Sequence, residues 1–304
     1  MLVLVPVVYT KDVTSSKRFK ELSASKVAKG ADPIAMITAY DAPSMRFAQA
    51  GGADIVLVGD SVATVMLGYE STMQMTHEEM SVFVKAVTRT SKNIPVVADM
   101  VWGSYHVNTE QAVQSAIDLI HAGAQAVKLE GGTNRVEIIE AITNAEIPVV
   151  GHVGLTPQSL LEFGEFKVQG KELDKAQKVL EDARAVAKAG ASMIVVECVP
   201  DALSRAITEE LSIPVIGIGA GKHTDGQVLV MHDLLGIGQD SMPKFVRQYE
   251  QLEQKAVGAV AGYVADVKSG AFPSPAETYH MADGVVEELQ NPQTPAQKHQ
   301  TPLS

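Results

Sequence analysis

The 304-residue chain contains a single cysteine, Cys198, so an internal disulfide is impossible. This scarcity is typical of proteins kept in a reducing compartment, and we expect a cytoplasmic location. The chain also has no block of Lys and Arg, and its net charge is −11. Because a nucleic-acid-binding protein needs a basic surface, no nucleic-acid partner is expected.

The sequence also lacks an apolar run long enough to cross a bilayer, which needs about 20 residues. Its apolar start, Met-Leu-Val-Leu-Val-Pro-Val-Val-Tyr, has neither the positive residues nor the cleavage site of a signal peptide. We therefore expect no membrane partner and interpret this start as an extension or as a segment that covers a partner. The stretch from about Leu289 is rich in Gln, Pro, Thr and Ser and is predicted to be disordered.

Short apolar runs rich in Val and Ile recur along the chain and predict buried parallel strands. They lie at 34–38, 54–58, 94–98, 125–129, 147–150, 193–196 and 213–218, with a weaker run at 228–231. Helical patterns separate them. Capping motifs at 76–79 and 108–111 begin two helices, and two more are predicted over 173–189 and 201–210. Alternating strands and helices indicate a parallel α/β fold.

The number of strands decides between two parallel architectures. Eight strands favour a closed (β/α)8 TIM barrel, and an open doubly wound sheet is the alternative. Two internal echoes support a repeat: an Ala-Gly-Ala type turn before several strands, and Ile-Pro-Val at 94–96, 147–149 and 213–215. Proline suits the first residue of a strand, where it removes no ladder hydrogen bond.

Polar side chains follow the predicted strands where each one ends. They are Asp60, Ser61, Asp99, Lys128, Glu130, His152 and Glu197, and a glycine-rich turn at 217–221 follows the seventh strand. In a barrel, all these strand ends converge on one face, which is where barrel active sites lie. The sequence therefore predicts four carboxylates, a lysine and a histidine around one small opening.

Carboxylates gathered in this way repel one another, and a divalent cation is the usual compensation. The oxygen ligands of Asp60, Asp99 and Glu130 favour Mg2+ over Zn2+. A 2-oxo acid can chelate such an ion through its carboxylate and keto oxygens, and the ion can then stabilise an enolate.

Several of these residues also have a purely structural interpretation. Ser61 could cap a helix, Lys128 could serve only as an ion-pair partner, and His152 could be a core histidine. The turn at 217–221 has neither the P-loop spacing nor the third glycine of a dinucleotide-binding motif, although its N–H groups could cradle an anion. Cys198 has no evident base beside it, so a thiol nucleophile is not expected.

Eight stretches resemble the ketopantoate hydroxymethyltransferase family and occur in the family's order, within about 34–272. They are Ile-Thr-Ala-Tyr-Asp at 37–41, Leu-Val-Gly-Asp-Ser at 57–61, Val-Lys-Leu-Glu-Gly-Gly at 127–132, Gly-His-Val-Gly-Leu-Thr-Pro-Gln at 151–158, Val-Gln-Gly at 168–170, Glu-Cys-Val-Pro at 197–200, Ile-Gly-Ile-Gly-Ala-Gly at 216–221 and Thr-Asp-Gly-Gln at 224–227.

This resemblance implies a (β/α)8 barrel of the phosphoenolpyruvate/pyruvate type. It implies transfer of a one-carbon unit from 5,10-methylenetetrahydrofolate to 3-methyl-2-oxobutanoate, giving 2-dehydropantoate on the route to pantothenate and coenzyme A. It also implies a homo-oligomer, commonly a decamer.

The resemblance further assigns roles to residues at the matching positions. Asp60, Asp99 and Glu130 match the Mg2+ site, while Asp60, Ser61, Asp99 and Lys128 match the positions that contact the oxo acid. Glu197 matches the general base, and His152 matches a pocket position.

The boundaries expected from the sequence are an N-terminal extension over 1–33, a catalytic barrel over 34–272 and a C-terminal segment over 273–304 that ends in the tail. Three alternatives stay open. They are a carbon–carbon lyase acting on a 2-oxo acid, a phosphate-binding barrel that uses the turn at 217–221, and a non-catalytic barrel that serves as a scaffold. The lyases usually carry a catalytic cysteine motif, which this chain lacks, and a scaffold has no physical reason to keep repelling carboxylates together.

Overall fold

The computed structural model describes residues 10–159, 161, 167–238 and 242–290. The chain divides into two compact units, Met1–Gln251 and Leu252–Ser304. The apolar start and the tail beyond Gln290 lie outside the described residues, and the boundaries drawn at 33 and 272 stay a prediction. None of the helices in the described residues is long and apolar enough to span a membrane.

Eight parallel strands form a closed barrel in sequence order, which confirms the barrel over the open sheet. Each strand pairs with the next, and the last pairs with the first. The strands are β1 (Ile34–Thr38), β2 (Ile55–Val58), β3 (Val96–Asp99), β4 (Ala126–Glu130), β5 (Val149–Gly154), β6 (Met193–Glu197), β7 (Val215–Ile218) and β8 (Gly226–Leu229).

Helices alternate with the strands, and all four that the sequence predicts are present. The α-helices of the first unit are α1 (Thr10–Ser23), α2 (Ala42–Ala50), α3 (Val62–Val65), α4 (His77–Thr90), α5 (Thr109–His121), α6 (Val136–Asn144), α7 (Leu173–Lys188), α8 (Asp201–Glu210) and α9 (Met231–Leu235). At the start of α4, the Thr76 hydroxyl accepts from the Glu79 N–H at 3.2 Å, and the Glu79 carboxylate accepts from the Thr76 N–H at 2.9 Å. This reciprocal pair is the predicted capping box.

Four strand predictions begin two residues away from the observed strands, for identifiable reasons, and β7 begins after an Ile-Pro pair as β3 and β5 do. β3 and β5 begin after the Ile-Pro pairs, because Pro95 and Pro148 have no N–H and contribute only their carbonyls, which accept from Val56 and Val127. The last strand lies at Gly226–Leu229 instead of 228–231. A Cβ at Gly226 would lie 2.4 Å from the Ile34 carbonyl oxygen, so the strand begins at a glycine that apolar periodicity does not reveal.

Buried apolar residues form two clusters, one between the strands and the surrounding helices and one inside the barrel. The inner cluster takes side chains from every strand, for example Met36, Val97 and Met193. It also includes Phe19 of α1, which is 2% exposed. Helix α1 therefore adds an aromatic side chain to the barrel interior.

A buried ion pair ties the segment after α1 to the last two strands. The Lys26 ammonium lies 2.7 Å from the Asp225 carboxylate and donates to the Thr208 carbonyl at 2.8 Å. Asp225 also accepts from the N–H groups of Val27 and Val215, both at 2.9 Å. Asp225 belongs to the Thr-Asp-Gly-Gln stretch at 224–227, so this motif has a structural role.

The second unit contains α10 (Leu252–Ser269) and α11 (Val285–Gln290). No residue of α10 is buried. Its exposed apolar side chains include Val257 and Val260, which are 63% and 61% exposed. Tyr263 packs edge-on against Phe272 at 5.5 Å between ring centroids.

Candidate active site

The carboxyl ends of the strands surround a cavity of about 780 Å³. All seven side chains that the sequence predicts at this face line it: Asp60, Ser61, Asp99, Lys128, Glu130, His152 and Glu197. The barrel brings them together because parallel strands in register end at a common edge. β3 and β4 pair Asp99 with Lys128, and β4 and β5 pair Glu130 with His152.

Asp60, Asp99 and Lys128 form one half of the site. The Asp60 N–H donates to Asp99 Oδ2 at 3.0 Å, and Lys128 Nζ lies 2.6 Å from Asp99 Oδ1. Burial, reinforced by the carboxylates of Asp99 and Glu130, raises the pKa of Asp60 to about 7. Burial alone would lower the pKa of Lys128, but the three surrounding carboxylates outweigh it and raise that pKa. The lysine is therefore cationic.

Glu130, His152 and Glu197 form the other half. His152 Nδ1 lies 3.2 Å from Glu130 Oε1, and Nε2 lies 3.2 Å from Glu197 Oε2. Burial and the Lys128 ammonium lower the pKa of His152, but the two glutamates outweigh them and raise it to about 9. A protonated imidazole therefore lies between Glu130 and Glu197 at neutral pH and forms an ion pair with each, while its Nε2 atom makes no hydrogen bond among the described residues.

A buried glutamine that the sequence did not single out links the two halves. Gln158 Nε2 donates to Asp60 Oδ2 at 2.9 Å, and the Gln158 N–H donates to Glu130 Oε2 at 2.9 Å. The Tyr105 hydroxyl donates to Gln158 Oε1 at 2.6 Å and accepts from the Glu130 N–H at 3.2 Å. Gln158 is the last residue of the 151–158 motif. The motif therefore supplies this hydrogen-bonding side chain in addition to the residues of β5.

Ser61 contacts a second buried residue that sequence reasoning missed. Its hydroxyl lies 2.7 Å from the hydroxyl of Tyr40, which is fully buried. Although Ser61 precedes α3, its side chain makes no capping hydrogen bond. The capping interpretation is therefore wrong, and the hydroxyl is directed by Tyr40 at the edge of the cavity.

Burial and close packing explain two further features at this end of the barrel. Burial and the adjacent Glu197 raise the pKa of Cys198 to about 12, so its thiol stays protonated and is a poor nucleophile. In the glycine-rich turn, a Cβ at Gly219 would lie 2.8 Å from Phe245 Cδ1, and one at Gly221 would lie 2.5 Å from Asp201 Cβ. The turn therefore needs glycine because neighbouring side chains approach its backbone closely.

The donor set at Asp60, Asp99 and Glu130 suits a hard divalent cation. Within the described ranges, no group of three or more His, Cys, Asp or Glu side chains is placed so that the protein alone could hold a metal ion. Each of these carboxylates already contacts Lys128, His152 or Gln158. Mg2+ does not need a closed protein cage, because it keeps several waters and binds through one or two carboxylates plus the substrate. Burial and the repulsion from Asp99 and Glu130 raise the pKa of Asp60, and such an ion would relieve that repulsion.

The comparison with known sequences decides the family. Residues 17–275 match the family model for ketopantoate hydroxymethyltransferase. The chain belongs to the ketopantoate hydroxymethyltransferase family. It is therefore an enzyme of the hydroxymethyltransferase class, as its relatives are named.

Relatives of this family resemble the chain over most of their length. A 3-methyl-2-oxobutanoate hydroxymethyltransferase from Geobacillus kaustophilus is 50% identical over 253 residues, covering 83% of this chain and 91% of that protein. The protein of the same name from Carboxydothermus hydrogenoformans is 49% identical over 268 residues, covering 88% and 97%.

Solved structures share the fold at low sequence identity. Phosphoenolpyruvate phosphomutase from Streptomyces platensis has a TM-score of 0.58 at 16% identity and covers 91% of this chain and 95% of its own. A 2,3-dimethylmalate lyase, described as a member of the PEP mutase/isocitrate lyase superfamily, has a TM-score of 0.53 at 16% identity and covers 92% and 98%. These neighbours have the same barrel fold as this ketopantoate hydroxymethyltransferase family member.

Proposed function

We propose that this enzyme transfers a hydroxymethyl group from 5,10-methylenetetrahydrofolate to 3-methyl-2-oxobutanoate. The products are 2-dehydropantoate, for the synthesis of pantothenate and coenzyme A, and tetrahydrofolate, with one water consumed. The observation that carries the proposal is the Glu197 carboxylate, held by His152 at 3.2 Å in the cavity that the other six predicted residues also line. A 2,3-dimethylmalate lyase of the same fold is only 16% identical to this chain, whereas the hydroxymethyltransferase relative is 50% identical, so we favour the transferase over the lyase alternative.

Mg2+ is the cofactor that the donor set suits, with Asp60, Asp99 and Glu130 as the residues that would hold it, directly or through waters. When bound, it supplies Lewis-acid polarisation of a keto oxygen. The protein itself holds these carboxylates in position. Gln158 donates to the carboxylates of both Asp60 and Glu130, which holds each of them in place.

Lys128 and Ser61 are suited to bind the carboxylate of the oxo acid. Lys128 is buried and cationic, and its ammonium reaches the cavity while it contacts Asp99. The Ser61 hydroxyl is directed by Tyr40 at 2.7 Å. Together they offer one charge-assisted and one neutral hydrogen bond, which fix the orientation of the substrate.

Glu197 acts as the general base in this proposal. It removes the proton from C3 of 3-methyl-2-oxobutanoate, and the resulting carbon nucleophile forms a C–C bond to the one-carbon unit of the folate. Both C–N bonds of that unit break, water supplies the hydroxyl oxygen and gives its two protons to the folate nitrogens, and the proton taken by Glu197 ends on the new hydroxyl group. The protonated His152 ring lies 3.2 Å from one oxygen of the Glu197 carboxylate, and this ion-pair contact leaves the other oxygen available for the proton. A base fixed in this way needs no reorganisation at the moment of transfer.

Proton exchange at C3 tests this function directly. The purified protein is incubated with 3-methyl-2-oxobutanoate in D2O, and loss of the C3–H signal is followed by NMR with Mg2+, with EDTA and as Glu197→Gln, without folate. We expect exchange only with both Mg2+ and Glu197. Glu70→Gln is the matched control, because Glu70 lines the same cavity and the substitution removes the same charge. Absence of exchange in the wild type, with methylenetetrahydrofolate also added, would contradict the proposed chemistry.

We also propose that the enzyme is a cytoplasmic homo-oligomer, and a decamer in particular. The exposed apolar side chains of α10 support association, because apolar residues on one helix usually mark an interface. Light scattering coupled to gel filtration tests it. A decamer of a 32.3 kDa chain has a mass of about 320 kDa, and a monomeric mass would contradict the proposal.

A further inference from the structure

One carboxylate at the cavity has no place in the mechanism above. Asp233 lies in α9, just beyond the last strand, and lines the same cavity as Glu197. It is 8% exposed, and its Oδ1 atom has no hydrogen-bond partner among the residues that the structure describes. A buried carboxylate oxygen without a donor is costly, so its position needs an explanation.

The backbone around Asp233 is fixed, so the carboxylate does not simply turn toward water. The N–H of Met231 donates to the Thr38 hydroxyl at 2.9 Å, which ties the start of α9 to the end of β1. The His232 ring packs against the buried Tyr40 ring at 5.6 Å between centroids. An acidic residue in a first helical turn is favoured by the helix dipole, but α9 has only five residues and no N–H reaches Oδ1.

The cavity that Asp233 lines also has apolar walls. Residues before and after α9 contribute apolar and aromatic surface: Leu229, Val230, Met242, Pro243 and Phe245. A cavity that combines apolar and aromatic side chains with a buried, unpartnered carboxylate oxygen suits an aromatic heterocycle that carries N–H donors on one edge. A five-carbon oxo acid fills only a small part of 780 Å³, so the cavity has room for such a ring beside it.

We propose that Asp233 binds the pterin ring of the folate donor, with its carboxylate accepting hydrogen bonds from the ring N3–H and the 2-amino group. These two donors are adjacent and parallel, and they match the two oxygens of a carboxylate. The inference rests on the proposed function, because that function supplies the folate. It adds the residue that recognises the ring and distinguishes a folate from other one-carbon carriers.

Two folates and two variants test this assignment by calorimetry on the full chain. The probes are 5-formyltetrahydrofolate and its analogue without the 2-amino group, and the variants are Asp233→Asn and the matched Glu70→Gln. We expect wild type and Glu70→Gln to bind the parent folate about 10- to 100-fold more tightly than the analogue. Asp233→Asn should lose a similar factor for the parent folate and should no longer distinguish the two.

Two results would overturn the inference. One is an Asp233→Asn variant that binds and discriminates as wild type does. The other is a wild type that binds both folates equally, and this second measurement decides the matter even if the variant does not fold. Formation of 2-dehydropantoate by the wild type is measured alongside. If the product forms without any discrimination between the folates, the role of Asp233 is wrong and the proposed function stands; if no product forms, both fail.

Discussion

Replacement of Gln158 by Met should disrupt the site, because the glutamine side chain forms hydrogen bonds with three buried polar groups. Its amide donates to Asp60 Oδ2 at 2.9 Å and to the Met100 carbonyl at 3.0 Å, and it accepts from the Tyr105 hydroxyl at 2.6 Å. Gln158 is 4% exposed, so water cannot replace these contacts without opening the core. Methionine has a similar length but no amide.

The size of the effect follows from the groups left behind. Each buried group that loses its partner costs about 1–3 kcal/mol, and a charged one costs more. Because the three groups belong to one network, their costs do not add fully, and we expect a total loss of about 3–5 kcal/mol. For a barrel of this size that corresponds to a fall in Tm of about 10 °C. Tyr105→Phe breaks the bond to the amide and the bond from the Glu130 N–H, so it should cost less, about 1–3 kcal/mol.

Differential scanning calorimetry of wild type, Gln158→Met and Tyr105→Phe measures these losses. Gln111→Met, an exposed glutamine in α5, is the control and should change stability by less than about 0.5 kcal/mol. If Gln158→Met melts within about 2 °C of the wild type, the network contributes little, and the argument that it fixes Asp60 and Glu130 is refuted.

Four other outcomes are expected. Lys26→Met should lower the free energy of unfolding by about 3–5 kcal/mol, because it leaves the buried Asp225 carboxylate without its ion-pair partner. The double variant with Asp225→Asn should recover part of that loss in urea unfolding, and a larger loss in the double variant would contradict the role of the ion pair. With EDTA present, the folded-state pKa of His152, about 9, lies above its unfolded value of about 6.5. The stability that it contributes is therefore complete below pH 6.5 and lost as the pH rises through 9, so the urea midpoint of wild type should fall more over that window than that of His152→Gln. Cys198→Ala should keep kcat within about threefold, because a thiol with a pKa of about 12 is not ionised at neutral pH, and a larger loss in the transfer assay would give the thiol a role. Asp99→Asn should destabilise the fold, since the Lys128 ammonium, 2.6 Å from that carboxylate, would stay buried without its closest counterion; an unchanged Tm would refute this.

The residues that the sequence revealed are those that stand directly after a strand. Each of three charged residues lies at or near the end of an apolar run: Asp99, Lys128 and Glu197. A charged side chain in that position is seldom needed for the structure, so it indicates a function. Parallel strands then bring such residues together without further information, because their ends share one edge. The residues of the candidate site that lie at strand ends could therefore be predicted from the sequence.

The supporting residues were not predictable in the same way. Gln158 and Tyr105 lie in loops 53 positions apart in the sequence, and their contact depends on how those loops close. An amide and a phenol also carry no charge that would mark them as unusual. Asp233 follows the strand that was misplaced by two residues, so its distance from the strand end was uncertain. These residues could not be predicted because their positions depend on loop conformation, which hydrophobic periodicity does not encode.

The alternation of side chains along β4 has a consequence for how this gene can vary. Lys128 and Glu130 face the cavity, whereas Val127 and Leu129 belong to the cluster between strands and helices. One residue inserted or deleted within the strand would exchange the two sets, placing both charges in the apolar layer and two apolar side chains at the cavity. Insertions and deletions should therefore be found between the strands and helices. Inside β4 they should be lethal, because one added or lost residue would disrupt both the active-site side chains and the core packing.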